Sequence, residues 1–155
     1  MTALAPALAE LSALLDRGAP TTLRMTASNP PPPRHIRGYL VAELRLILCL
    51  EGDKTEDFAE AGQTVSWRMR PGDLLVVRPQ SWLCPSFASR HRHFGVVAAG
   101  ESLRAAWCRC DGHPGRAQPL TVEASLELQL AERGPLTRTL DAIAAIGDGR
   151  ADQDA

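Results

Sequence analysis

Leucines near the start of the chain recur at the spacing of an α-helix. They are Leu4, Leu8, Leu11 and Leu15. Residues three or four positions apart lie on one helical face, and Arg17-Gly18 followed by Pro20 is typical of a helix end. The pattern predicts an amphipathic helix over residues 3–17 that packs on the rest of the domain.

A run of prolines follows this helix, in the sequence Asn29-Pro30-Pro31-Pro32-Pro33. Proline fixes φ and has no backbone N–H, so consecutive prolines exclude a helix interior and a central strand. We expect an extended connector here.

From Tyr39 to Cys110 the hydrophobic pattern has a period of two residues, which places alternate side chains on opposite faces of a strand. One face of the first long segment, which we call the leucine face, carries Leu44, Leu46, Leu48 and Leu50. The opposite face carries Glu43, Arg45, Ile47 and Cys49. Further strand-like segments span residues 65–69, 74–77, 91–97 and 105–110. Short strands separated by Gly, Pro and Asp turns predict an antiparallel sandwich or barrel.

The pattern after Pro119 is mixed. Residues 125–130 alternate like a strand, although they are also good helix formers. Gly134-Pro135 then opens a second helix over residues 135–146, because proline suits a first helical turn. Its apolar face holds Leu136, Leu140, Ile143 and Ala144, and Gly147-Asp148-Gly149 ends it.

Composition narrows the class of protein. A chain of 155 residues is long enough for one domain with a core. The formal net charge of −1 gives no sign of the basic face that a nucleic-acid-binding domain needs. The basic residues are almost all arginine, with Lys54 the only lysine, which we attribute to coding composition rather than to binding.

The cellular compartment follows from what the sequence lacks. The first twenty residues have no positive n-region and include Glu10 and Asp16, unlike a secretory signal. No apolar run approaches the roughly 18 residues of a membrane span, so we expect a cytoplasmic protein without membrane contact. The four cysteines are then expected to be reduced thiols. They are Cys49, Cys84, Cys108 and Cys110.

Four segments carry a family resemblance: LRLILCLEG, MRPGDLLVVRPQSWLCP, RHRHFGVV and LRAAWCRCDG. They resemble the cupin superfamily, and more narrowly the N-terminal sensor domain of AraC-type transcription regulators, over residues 4–146. The resemblance implies a mostly β fold, a cupin-like double-stranded β-helix (jelly-roll barrel) with an N-terminal and a C-terminal helix. It implies a sensor domain over residues 1–134, including the helix 3–17. Residues 135–155 would form the C-terminal helix and the start of a linker to a DNA-binding domain outside this chain.

The metal ligands of cupin enzymes are missing from this chain. Those enzymes use two histidines and a glutamate from a first motif and a histidine from a second. Here the glutamate position falls on Arg45 and the later histidine position on Cys84. The two earlier histidine positions fall on Tyr39 and Val41, or on Gly38 and Leu40. A divalent ion needs several converging donors, so the resemblance implies a sensor without a cofactor rather than an enzyme.

The candidate ligand-binding residues are Arg45, Ile47, Cys49, Trp82 and Cys84. If the family register holds, Arg45 faces the barrel interior, where its guanidinium suits the carboxylate or phosphate of an effector. Its alternative roles are a structural ion pair with Glu43 or another acid, or an arginine at the barrel mouth that reaches solvent. Trp82 and Cys84 alternate onto one side of their segment, where they either line the cavity mouth or pack without ligand contact. The expected effector is a small, partly apolar acid.

A metal site is the alternative for two other pairs, His91-x-His93 and Cys108-x-Cys110. Each pair projects two side chains from the same face of a strand. On adjacent strands the four groups would suit a tetrahedral zinc ion, and His113 is a possible substitute for one of them. Otherwise the histidines lie on a solvated face and the thiols fill the core.

These observations favour an effector-sensing cupin domain of an AraC-type transcriptional regulator, acting through a helix-turn-helix domain that this chain does not contain. The expected partners are a small-molecule effector, and DNA only through that other domain. The leucine face is expected to be covered by the first helix or to form a homodimer. The alternatives are a small cupin enzyme and a stand-alone cupin binding protein with a non-standard metal site. The coding frame after Ala155 distinguishes the regulator from the stand-alone protein.

Overall fold

The chain folds into a six-stranded and a four-stranded β-sheet. One helix precedes the strands in the sequence and one follows them. The computed structural model describes residues 3–27, 32, 37–113, 119–130 and 134–145. The helices are α1 (Leu4–Asp16) and α2 (Pro135–Ala145). The strands are β1 (Leu23–Met25), β2 (Tyr39–Val41), β3 (Leu44–Gly52), β4 (Lys54–Glu60), β5 (Gln63–Met69), β6 (Leu74–Val77), β7 (Ser81–Pro85), β8 (Arg90–Ala99), β9 (Ser102–Asp111) and β10 (Leu120–Gln129).

The strands cross repeatedly between the two sheets. The larger sheet has the order β1-β6-β3-β8-β9-β10, and the smaller has the order β2-β7-β4-β5. Neighbouring strands are antiparallel except for β1 and β6. The chain leaves β3 for β4 and β5 in the smaller sheet, returns as β6, crosses to β7 and returns as β8. The strands within the described ranges do not close into a barrel.

A glycine turn sets the entry into β6. Gly72 has a φ of +93°, a left-handed conformation that glycine adopts without steric cost. Its N–H donates to the Cys49 carbonyl at 2.9 Å, and the Asp73 carboxylate accepts from the Arg70 N–H at 2.8 Å. These bonds hold the Pro71-Gly72-Asp73 turn against β3, so β6 pairs directly with it.

The space between the sheets is filled by alternate residues of six strands, β2 to β7. This core contains Val41, Ile47, Cys49, Phe58, Met69, Leu75, Val77 and Leu83. The face of β3 opposite the leucine face therefore points inward, as expected from the family register.

Both helices cover the leucine face. Leu48 and Leu50 pack with Ala7 of α1, while Leu44 packs with Leu140 of α2. Full burial of a leucine side chain contributes about 1.5–3 kcal/mol to stability. Packing of the helices on the leucine face therefore stabilises the fold within one chain. Helix cover, one of the two expectations for this face, is confirmed.

The contacting stripe of each helix differs from the predicted one. In α1, Ala7 lies at the contact, whereas Leu8 and Leu15 are 45% and 52% exposed. The small Ala7 side chain lets the helix approach the sheet closely, and the stripe is centred on it. In α2, Leu140 is buried but Leu136 is 45% exposed. The side chain of Ala144, the turn 147–149 and most of the proline run lie outside the described residues.

One arginine ties α1 to the larger sheet. Arg92 on β8 donates two hydrogen bonds to the Glu10 carboxylate of α1, at 2.8 and 2.9 Å. It also donates to Glu123 of β10 at 2.9 Å. These bonds join a helix and two strands that are distant in sequence. Neither described helix is long and apolar enough to cross a membrane.

Candidate ligand-binding cavity

A cavity of about 770 Å³ opens on the inner face of the larger sheet. Its volume lies within the range of small-molecule sites, roughly 300–1,000 Å³. Strands β3, β8, β9 and β10 form one wall, which includes Arg45, Ile47, His93, Gly95, Ala106 and Cys108. Facing residues include Tyr39, Lys54, Glu56, Pro85 and Phe87.

Small residues in the sheet leave this space empty. Ile47 pairs with Gly95, and Gly95 pairs with Ala106, so three adjacent strands present these positions at one level. A Cβ added to Gly95 would have no neighbouring atom within 4 Å. Glycine inside a strand often marks the close approach of a ligand, and here its hydrogen faces the cavity.

A buried ion pair lies on the facing wall. Lys54 and Glu56 alternate with outward residues along β4, and they are 2% and 1% exposed. Lys54 Nζ lies 2.5 Å from Glu56 Oε1. Burial raises the pKa of Glu56, and the Lys54 ammonium opposes this rise. Neither Glu56 oxygen receives a well-aligned hydrogen bond from the described part of the chain.

His93 lies close to this pair and is 7% exposed. Burial lowers its pKa to about 3, and the charges of Lys54 and His91 contribute to the same shift. The imidazole of His93 is therefore neutral near pH 7. Its Nδ1 is buried and has no hydrogen-bond partner among the described residues.

The predicted histidine and cysteine pairs do meet across β8 and β9. His93 pairs with Cys108, and His91 pairs with Cys110. His91 Nδ1 lies 2.9 Å from the Ser89 carbonyl oxygen, and Cys110 Sγ donates to the Phe87 carbonyl oxygen at 3.5 Å. Within the ranges that the structure describes, no three His, Cys, Asp or Glu side chains are grouped to hold a metal ion.

The positive charge of Lys54 disfavours the zinc alternative. Its ammonium lies close enough to lower the pKa of both His91 and His93, and the same positive charge opposes a metal cation. His113, the possible substitute ligand, is exposed at the end of β9.

Arg45 lies at the rim of the cavity, with a side chain that is 30% exposed. Its Nη1 lies 3.4 Å from the Tyr39 hydroxyl, and its guanidinium lies 5.6 Å from the centre of the Tyr39 ring. The predicted alternative, an ion pair with Glu43, is present at 3.9 Å. Because these contacts are long and Arg45 Nε has no hydrogen-bond partner in the described residues, the guanidinium retains donors for a ligand.

The other predicted ligand-binding residues separate into two groups. Ile47 lines the cavity, whereas Cys49 lies deeper in the core and is fully buried. Burial raises the pKa of Cys49 to about 11, so it is a poor nucleophile at neutral pH.

Trp82 and Cys84 do not line the cavity, contrary to the prediction for its mouth. Leu83, which lies between them in β7, points into the core, and alternation places its two neighbours on the opposite face. Trp82 is 2% exposed and lies close to Gly38. The two residues do share one side, but it is the outer side of the smaller sheet.

Sequence reasoning missed the charged pair of the facing wall. The segment KTEDFAE was not predicted as a strand, although Lys54, Glu56 and Phe58 alternate. The available signal was the single lysine of an arginine-rich chain.

Comparisons with protein-family models, curated proteins and solved structures found no match. The described residues define a β protein of two sheets with a cavity whose lining includes the charged residues Arg45, Lys54 and Glu56.

Proposed function

We propose that this chain is the effector-binding domain of an AraC-type transcriptional regulator and that its cavity binds a small, partly apolar acid. The observation that carries the proposal is the cavity of about 770 Å³, kept open by Gly95 and lined by Arg45 at its rim. The proposed role is binding rather than catalysis.

The strand order supports a cupin-like double-stranded β-helix. Strands β3 and β4 pair with β6 and β5, and then with β8 and β7, as one long ribbon that alternates between the sheets. The smaller sheet keeps the order β2-β7-β4-β5, and β6-β3-β8 are adjacent in the larger one. This winding is typical of a jelly roll built from two Greek keys.

Strand β3 contacts the cavity on one face and both helices on the other, so it can couple ligand binding to helix position. Arg45 and Ile47 face the cavity, while Leu44 and Leu48 contact α2 and α1 on the other side. A ligand that fits one arrangement of β3 better than another would shift the positions of both helices. Such a shift requires differential affinity for the two states. DNA would be bound by a separate helix-turn-helix domain, and a homodimer would use a surface other than the covered leucine face.

Filling the cavity tests the proposal. Gly95→Leu places a side chain into the empty space, and because glycine is a poor strand former the fold should be retained. We expect compounds that raise the melting temperature of the wild-type protein to lose at least about 100-fold in affinity in Gly95→Leu, as measured by calorimetry. Thr64→Leu, at an exposed position of β5, is the matched control and should bind normally.

Two results would reject this function. The first is that a chemically diverse library of small acids and metabolites yields no binder, and the second is that its binders bind Gly95→Leu as tightly as they bind the wild type. In the complete regulator, Gly95→Leu should also abolish the effector response of the target promoter, and a retained response would contradict the regulatory role.

A further inference from the structure

We propose that the ligand of this cavity has two polar ends, an acidic group bound at Arg45 and a hydrogen-bond donor, a hydroxyl or an amine, bound at Glu56. The inference rests on the proposed function and makes it more specific. It selects hydroxy acids and amino acids over simple carboxylic acids.

At the inner end of the cavity, the Glu56 carboxylate lacks a hydrogen-bond donor for Oε2 within the described part of the chain. Glu56 is 1% exposed and lines the cavity. Lys54 Nζ lies 2.5 Å from Oε1, and Oε2 accepts no hydrogen bond from the described residues. Buried carboxylate oxygens are normally hydrogen-bonded, because leaving them without a donor is costly. A hydroxyl or amine of a ligand would supply that donor.

The neighbouring groups fit the same ligand end. His93 Nδ1 is buried in the same wall region and has no partner within the described ranges. A neutral imidazole presents one donor and one acceptor, so it can accept from, or donate to, a hydroxyl that also bonds Glu56. Lys54 provides donors only and already faces Glu56.

The rim of the cavity suits an acid. Arg45 Nε is buried without a partner in the described part of the chain, and its terminal nitrogens make contacts of 3.4 and 3.9 Å. A carboxylate would form two parallel hydrogen bonds with the guanidinium. At Lys54 instead, the same carboxylate would approach the negative charge of Glu56, so Arg45 is the favoured position.

One small molecule can reach both ends. Arg45 and Glu56 line the same cavity of about 770 Å³, together with Tyr39, whose hydroxyl lies 3.4 Å from Arg45 Nη1. The wall between them is apolar and includes Ile47 and Ala106. The ligand therefore needs a short apolar spacer between its two polar groups.

Matched acids that differ only in the distal group test this inference. The probes are caproate, ε-hydroxycaproate and ε-aminocaproate, together with the shorter set butyrate, γ-hydroxybutyrate and γ-aminobutyrate. Calorimetry on the wild-type protein should show at least one hydroxy or amino acid binding about 10-fold tighter than its methyl-ended counterpart. Arg45→Met should weaken binding of every acid that binds.

A double variant tests the role of Glu56 itself. Glu56→Gln alone leaves Lys54 buried without a counter-charge and risks misfolding. Lys54→Met combined with Glu56→Leu replaces the pair by apolar groups of similar size, which is often neutral for stability. In this variant the preference for the hydroxy or amino acid should disappear.

The outcomes separate this inference from the function that it rests on. Equal affinity of matched acids for the wild type, or a preference that survives in the double variant, would overturn the two-ended ligand. If the acids fail to bind while other compounds bind in a way that Gly95→Leu blocks, the inference fails and the cavity function stands. If Gly95→Leu blocks no binder at all, both fail.

Discussion

The stability of the protein should fall in mild acid because His93 stays neutral in the folded state. Its pKa is about 3 when folded, against an ordinary value of 6.5. Burial is the main cause, and the positive charge of Lys54 acts in the same direction. Below pH 6.5 the unfolded chain therefore takes up a proton that the folded chain does not.

The size of the effect follows from the two pKa values. Each unit of pKa difference corresponds to about 1.36 kcal/mol, so His93 alone lowers the free energy of unfolding by up to about 5 kcal/mol between pH 6.5 and pH 3. Above pH 6.5 the His93 imidazole is neutral in both the folded and the unfolded state, so the free energy of unfolding no longer changes with pH through this group. The lowered pKa of His91 adds to the acid loss, whereas the raised pKa of Glu56 opposes it.

Urea unfolding of wild type and His93→Gln across this pH range provides the assay. Relative to the variant, the wild type should lose roughly 2–3 kcal/mol between pH 6.5 and pH 4.5. His113→Gln is the control, because His113 is exposed, and its curve should follow that of the wild type. Parallel curves for wild type and His93→Gln would refute the reasoning.

Three further predictions concern the charged and thiol groups. Lys54→Met should cost about 3–5 kcal/mol in urea unfolding because it leaves Glu56 buried and unpaired, and adding Glu56→Leu should restore most of it. Arg92→Ala should lower stability by about 1–2 kcal/mol and reduce hydrogen-exchange protection in α1, because the bonds to Glu10 are lost. Alkylation of Cys108, which lines the cavity and whose pKa is raised by burial, should become slower when a compound occupies the cavity.

Each of these has a contradicting result. A double variant no more stable than Lys54→Met would mean that the ion pair is not the source of the cost. Arg68→Ala is the control for Arg92→Ala, because Arg68 pairs with Asp53 at an exposed position, and equal losses in both would deny Arg92 its special role. If a bound compound leaves the rate of Cys108 alkylation unchanged, the compound binds outside this cavity.

The architecture was largely accessible from the sequence where the hydrophobic pattern was strong. The two apolar faces of β3 required cover on both sides, and the helices and the smaller sheet provide it. Residues 125–130 were ambiguous by propensity, and pairing with β9 makes Leu120–Gln129 a strand. Strand β1 has only three residues, Leu23–Met25, too few for a period to be recognised.

The site was harder to predict because pattern analysis assigns charged residues to the solvent. Lys54 and Glu56 break that rule, since they stabilise each other inside the molecule. Trp82 and Cys84 were assigned to the cavity by alternation of the correct period, but the choice of inner face was reversed. That choice depends on which sheet covers the strand, which is tertiary information.

The single lysine has a practical consequence for spectroscopy. Protein prepared with isotopically labelled lysine carries one labelled side chain in this sequence, Lys54, and that side chain lines the cavity. Its ε-methylene resonance would be an assigned signal without any mutagenesis. Titration of a compound into such a sample would report cavity occupancy, exchange rate and the charge state of the ammonium from one peak.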